Sequence, residues 1–100
     1  MVALNLPRFE VGEVVTTPGA LEALESAGQS PAELLDRHVR GDWGDVSDND
    51  REANDLALED GSRLFSVYLL GPATKLWIIT EARGENVQRA STCLLLPEEY

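Results

Sequence analysis

His38 is the only histidine in the chain, and Asp36, Asp42 and Asp45 lie close to it in sequence. An imidazole works as a general base when a carboxylate orients it or a nucleophile sits beside it. With a divalent cation, His38, Asp42 and Asp45 would compose a small hydrolytic site. No recognisable motif accompanies them, and the plainer reading of His38 is a partly buried helix residue beside a loop. The other candidate chemistries fail on residue type. Asp45, Ser47, Asn49 and Asp50 resemble the start of a calcium loop. However, its sixth position, which needs glycine, is Asp50, and its twelfth is Leu56 rather than a bidentate glutamate. Cys93 has no nearby Cys or His with which to build a zinc site. No serine stands in a Gly-x-Ser-x-Gly setting. Gly41-x-x-Gly44 lacks the lysine and the strand–helix context of a phosphate loop. No catalytic residue, metal ligand or cofactor is therefore assigned.

The strongest signal is electrostatic. Asp42, Asp45, Asp48, Asp50, Glu52, Asp55, Glu59 and Asp60 face Arg51 alone, a net −7 of the chain's formal −10. Such a field selects or repels partners. It argues against direct contact with a nucleic-acid backbone or an anionic membrane, both of which require positive charge. It leaves basic proteins, cations or neutral ligands, of which a basic protein surface is the expected partner, through Asp42, Asp45, Asp48, Asp50, Glu52, Asp55 and Glu59. Three readings stand side by side: a solvated helix face that aids solubility, a surface that occupies a basic nucleic-acid channel on another protein, and electrostatic steering toward any basic partner. Trp43, between glycines in this stretch, is either a cap on the core or an exposed anchor of the same surface.

These groups need a scaffold. One hundred residues with 43% hydrophobic content fit one globular domain, residues 1–100. A lone cysteine makes no internal disulfide and gives no sign of an oxidising compartment, so a reducing cytoplasm is the default expectation. No apolar run approaches the roughly 20 residues of a membrane span, and Met1–Glu10 has no basic leader or long apolar segment of a signal peptide.

Residues 9–17 are rich in β-branched types and predict a strand, with Gly12 marking a bulge or a close backbone approach. Thr17-Pro18 opens a helix carrying Leu21 and Leu24, which stops near Gly28. Ser30 and Glu33 have capping-box spacing around Pro31, and this second helix runs to about Arg40. Ser47 caps a third helix whose apolar stripe is Ala53, Leu56 and Ala57, ending at Gly61. Residues 63–70, 75–82 and 89–96 predict three strands, with Trp77 and Cys93 in the core. Strands 63–70 and 75–82 are apolar on both faces, so helices should cover one side and something else part of the other. The expected fold class is α+β: an antiparallel three- to four-stranded sheet packed by about three short helices, in the order β-α-α-α-β-β-β, the first strand joining the meander.

The strings from Pro18 to Pro31, Arg37-His38 with Gly41-Asp-Trp-Gly-Asp45, Asp60-Gly-Ser-Arg-Leu64, Lys75-Leu-Trp-Ile-Ile-Thr-Glu81 and Leu95-Leu-Pro-Glu-Glu-Tyr100 span nearly the whole chain. Through them the chain resembles a family of small bacterial proteins from plasmids and mobile elements. It departs from that pattern in a longer Arg83–Ser91 connection. Some members carry a label of type I restriction methylation subunit. This chain lacks a cofactor-binding glycine motif and an Asn/Asp-Pro-Pro-aromatic motif. The resemblance implies a mobile-element setting, in which an inhibitor of a host defence complex, DNA-mimic-like or anti-CRISPR-like, is the specific expectation. The sequence thus reads as a non-enzymatic acidic binding protein. The alternatives are a self-associating structural protein, as a homodimer, and a metal-dependent enzyme built on His38 and Asp42/Asp45.

Overall fold

The computed structural model describes residues 6–100, so the first half of the Met1–Glu10 segment read above for a leader lies outside the described residues. The elements follow the expected order: β1 (Glu13–Thr16), α1 (Pro18–Ser26), α2 (Pro31–Val39), α3 (Asp48–Asp60), β2 (Leu64–Leu69), β3 (Lys75–Thr80), β4 (Ser91–Leu95) and a 3-10 turn at Pro97–Glu99. The fold is α+β. Among the described residues, no helix is long and apolar enough to cross a membrane.

Local chemistry sets the helix ends. The side chains of Thr17, Ser30 and Ser47 accept hydrogen bonds from the amides of Ala20, Glu33 and Asp50, so each helix starts at a hydroxyl cap. Proline occupies the first helical position of α1 and α2. The Thr17 hydroxyl also donates to Glu99 at 2.6 Å, and Glu99 accepts from the Leu96 amide at 2.8 Å. One carboxylate thus pins the chain's last turn to the start of α1. These bonds favour the charged form and hold the Glu99 pKa below the usual glutamate range.

The sheet order is β1-β4-β3-β2. The meander β2-β3-β4 is antiparallel, but β1 pairs with β4 in parallel, so the sheet is mixed rather than purely antiparallel. The reason is topological. The three helices carry the chain from β1 at one edge to β2 at the other, and such a crossover returns the chain in its starting direction. Gly12, with φ 65°, makes the approach of β1 to β4 feasible, because a Cβ there would strike the Arg89 and Ala90 carbonyl oxygens.

All three helices cover one sheet face. Ala20, Leu24 and Leu34 pack with Tyr68, Leu76, Ile78 and Leu94; Trp43 and Ala57 pack with Leu64. The opposite face carries Val15, Phe65, Val67, Leu69, Trp77, Ile79, Cys93 and Leu95 by strand alternation. Part of it is covered by the C-terminal turn. Tyr100 meets Trp77 edge-on at 5.7 Å, Trp77 meets Phe65 at 5.1 Å, and Arg63 donates to the Tyr100 hydroxyl at 2.7 Å. Trp77 and Cys93 therefore sit half-buried on this second face, not in the core under the helices.

The two sheet edges are treated differently. Along β2, the Asn54 side chain of α3 acts as a strand residue: it donates to the Phe65 carbonyl at 2.7 Å and accepts from the Phe65 amide at 3.0 Å. The Val67 amide donates to the Trp43 carbonyl and the Asp45 amide to the Val67 carbonyl. Gly44 forms the bridge there, at φ 74°, and a Cβ would collide with the Val67 carbonyl oxygen.

Candidate functional site

His38 is fully buried, and the carboxylates near it in sequence are not its partners. Its Nδ1 pairs with the Ser66 hydroxyl, and its Nε2 with the Thr80 hydroxyl at 2.8 Å. Thr80 bonds to Thr92 at 2.7 Å, and Thr92 donates to the Val11 carbonyl at 2.8 Å. That carbonyl only accepts, which orders the whole chain. Thr92 has spent its proton, so Thr80 donates to it, and Thr80 accepts from His38 Nε2–H. His38 Nδ1 is then the acceptor for Ser66. The ring is neutral, with its pKa lowered to about 3 by burial and, secondarily, by the charge of Arg89. Phe9 and Trp43 flank it edge-on at 5.1 and 5.7 Å. The grouping of His38 with Asp42 and Asp45 is corrected accordingly: the imidazole threads α2 to β2, β3 and β4. Among the described residues, no group of three or more His, Cys, Asp or Glu side chains could hold a metal ion.

Arg89, passed over in the sequence, is buried as well. Its guanidinium donates to the carbonyls of Ser62, Glu81 and Ala57, at 2.7, 3.0 and 3.1 Å. Ala57 belongs to the last turn of α3, so the helix's negative end compensates the cation in place of a carboxylate. Burial, together with the nearby Arg83, holds its pKa below the ordinary arginine value.

Trp43 is 2% exposed and stacks on Phe9, its ring N–H aimed at Asp55 at 3.3 Å. It caps the core beside α3, which corrects its reading as an exposed anchor. Tyr68 donates to the Asp42 carbonyl at 2.6 Å beneath the Arg37 guanidinium, and burial raises its pKa to about 12.

The acidic groups remain outside. Asp42, Asp45, Asp48, Asp50, Glu52, Asp55, Glu59 and Asp60 are all exposed. Asp42 is paired with Arg37 at 2.7 Å, which holds its pKa below the usual aspartate range. Asp60 accepts from the Ser62 amide, and its pKa is lowered by hydrogen bonding to the Ser62 side chain and, next, to that amide. Asp55 receives Trp43. The rest of the set makes no ion pair among the described residues.

The phase of α3 decides how these charges are displayed. Asn54 and Ala57 face the sheet, because Asn54 is spent on the β2 edge. Ala53 and Leu56 consequently turn outward, against the apolar stripe expected for them; Leu56 is 59% exposed. Asp48, Glu52, Asp55 and Glu59 follow at spacings of four, three and four, so they share one helix face. Over about 16 Å of helix axis this stripe carries a carboxylate every ~5.5 Å. One strand of duplex DNA carries a phosphate every ~3.4 Å. The stripe thus reaches roughly two-thirds of a single strand's linear charge density, with Leu56 on its flank. The four-three-four spacing was legible in the sequence; the exposed leucine was not. Comparison of the chain with protein-family models, curated proteins and solved structures finds no match.

Proposed function

We propose that this chain is a small acidic binding protein that docks through the outer face of α3 onto a basic surface of another protein. One observation carries the reading: Asp48, Glu52, Asp55 and Glu59 form a continuous exposed stripe beside Leu56, and only Asp55 is engaged internally. Asp45 and Asp50 extend the field at the start of the helix. A groove that normally holds one nucleic-acid strand fits this charge spacing best. The resemblance to mobile-element proteins makes a host defence or DNA-processing complex the first partner class to test, with the chain acting as its inhibitor. His38 and Arg89 serve the scaffold in this reading, and the function is binding rather than catalysis.

The test is a neutralised variant, Asp48→Asn with Glu52→Gln and Glu59→Gln, which leaves the Asp55–Trp43 contact intact. Wild type and variant are used side by side to capture proteins from the source cell. The captured partner is then titrated over a salt series, with single-stranded and duplex DNA as competitors. At roughly 0.5 kcal/mol per lost surface charge contact, the variant should bind at least about tenfold more weakly. Its affinity should fall less steeply with salt, and wild type should compete with DNA. Equal affinity of variant and wild type for the same partner overturns the proposal.

A further inference from the structure

We infer that the open edge of the sheet, β1, pairs with β1 of a second copy of this chain, giving a two-fold dimer with one continuous eight-stranded sheet. The Glu13 amide donates to the Ala90 carbonyl and the Thr17 amide to the Leu94 carbonyl. In a parallel ladder alternate residues face the neighbouring strand, so the N–H and C=O groups of Val14 and Thr16 point away from β4. Among the described residues nothing bonds to them. β2, the other edge, is occupied at Phe65 and Val67 by Asn54 and by the Trp43–Asp45 backbone. Val14 and Val15 of β1 are 40% and 43% exposed, and no lysine guards the strand.

The second copy is favoured by how well this edge complements itself. With the two-fold axis at Val15, the Val14 amide donates to the partner's Thr16 carbonyl and the Thr16 amide to the partner's Val14 carbonyl. The symmetry repeats both, which makes four new hydrogen bonds. Val15 then faces its own copy as a close non-hydrogen-bonded pair on the open apolar face. Glu13 falls opposite Thr17, and the two Glu13 side chains lie about 14 Å apart, beyond the Debye length of ~8 Å at physiological salt. Charge placement agrees. The acidic helix α3 contacts β2, at the opposite edge, so dimerisation at β1 holds the two −7 stretches at the far ends of the assembly. Edge pairing of one short strand buries less than the ~800 Å² per partner of a standard interface, so the dimer is weak and concentration-dependent.

The experiment is sedimentation equilibrium of the full chain in reductant, from micromolar to about 1 mM, the concentration at which a weak pair of about −4 kcal/mol is half-formed. The weight-average mass should rise toward the dimer. It should rise further with added salt, because screening relieves repulsion between two acidic chains; binding to a basic partner responds to salt with the opposite sign. Val15→Glu and Val15→Lys should each weaken self-association at least about tenfold, while their equimolar mixture restores it, since only a residue that meets its own copy responds in this way. Amide exchange at Val14 and Thr16 in the unmodified chain should slow as concentration rises. A mass that stays monomeric throughout overturns the inference, as does a dimer indifferent to both substitutions or a mixture that fails to recover.

Discussion

The two faces of the sheet differ in how they handle polar groups: the apolar core under the helices encloses a polar thread, and the other face does not. The face under the helices holds His38, Ser66, Thr80 and Thr92 among its buried groups, while the face without helices holds Phe65, Trp77 and Tyr100. Polar groups lie under the helices here because each hydrogen bond is completed. The His38 chain runs from Ser66 to a backbone carbonyl without a gap, and Arg89 spends its donors on three carbonyls. A buried polar group costs little when paired and roughly 1–3 kcal/mol when orphaned. The covered face should therefore be brittle to substitution and the open face tolerant.

The largest expected effect is at His38. His38→Gln breaks the ordered chain and leaves at least one of Ser66, Thr80 and Thr92 without a partner, at an expected cost of about 3 kcal/mol, or a large share of the 5–15 kcal/mol that stabilises a typical domain. Urea unfolding at pH 7 measures it. The same substitution has a pH signature. The folded imidazole titrates at about 3 and the unfolded one near 6.5. Between those values the unfolded chain binds a proton that the folded chain refuses. Wild-type stability should therefore fall as pH drops from 6.5, approaching ~1.4 kcal/mol per pH unit from this site. The window from 6.5 to 5 isolates it, since the paired carboxylates Asp42 and Glu99, with their lowered pKa values, respond only at lower pH. His38→Gln should flatten the profile in that window. An unchanged slope would mean that the imidazole is not the titrating group.

Arg89 comes next. Lysine keeps the charge but cannot reproduce a planar fork on three carbonyls. Arg89→Lys should cost about 2 kcal/mol by denaturant unfolding, through the part-buried carbonyls of Ser62 and Glu81 left without their donor. A cost near zero would show that charge alone, set against the C-terminal end of α3, holds this corner together.

What the sequence could disclose divides along the same line. Helix starts and stops are local: Thr17, Ser30 and Ser47 cap by bonds spanning three residues, so the three helices were legible. The helix phase of α3 was not, because it is fixed by the bond from Asn54 to Phe65, eleven residues on. A reader of apolar spacing places Leu56 inward; the polar Asn54 wins because it closes a sheet edge. The parallel run of β1 depends on β4, more than seventy residues later. The partners of His38 lie 28 and 42 residues away, whereas its sequence neighbours Asp36 and Asp42 pair outward with Arg40 and Arg37. The acidic stripe was legible as composition and spacing because exposed charges need no partner to be displayed.

The open face supplies the smallest effect. Tyr100 is two-thirds exposed, touches Trp77 edge-on and accepts from Arg63 at the surface. An edge-to-face aromatic pair adds ~0.5–1.5 kcal/mol, and an exposed hydrogen bond adds little beyond it. Tyr100→Ala should therefore cost about 1 kcal/mol by the same unfolding measurement, with the pH profile between 6.5 and 5 unaltered because His38 lies on the other side of the sheet. A loss as large as that of His38→Gln would mean that the C-terminal turn, through Glu99 and Thr17, is coupled to the start of α1 strongly enough for the two faces to unfold as one. A loss near 1 kcal/mol leaves Tyr100 a minor contributor at the rim of a face whose Val67, Ile79 and Leu95 are already buried.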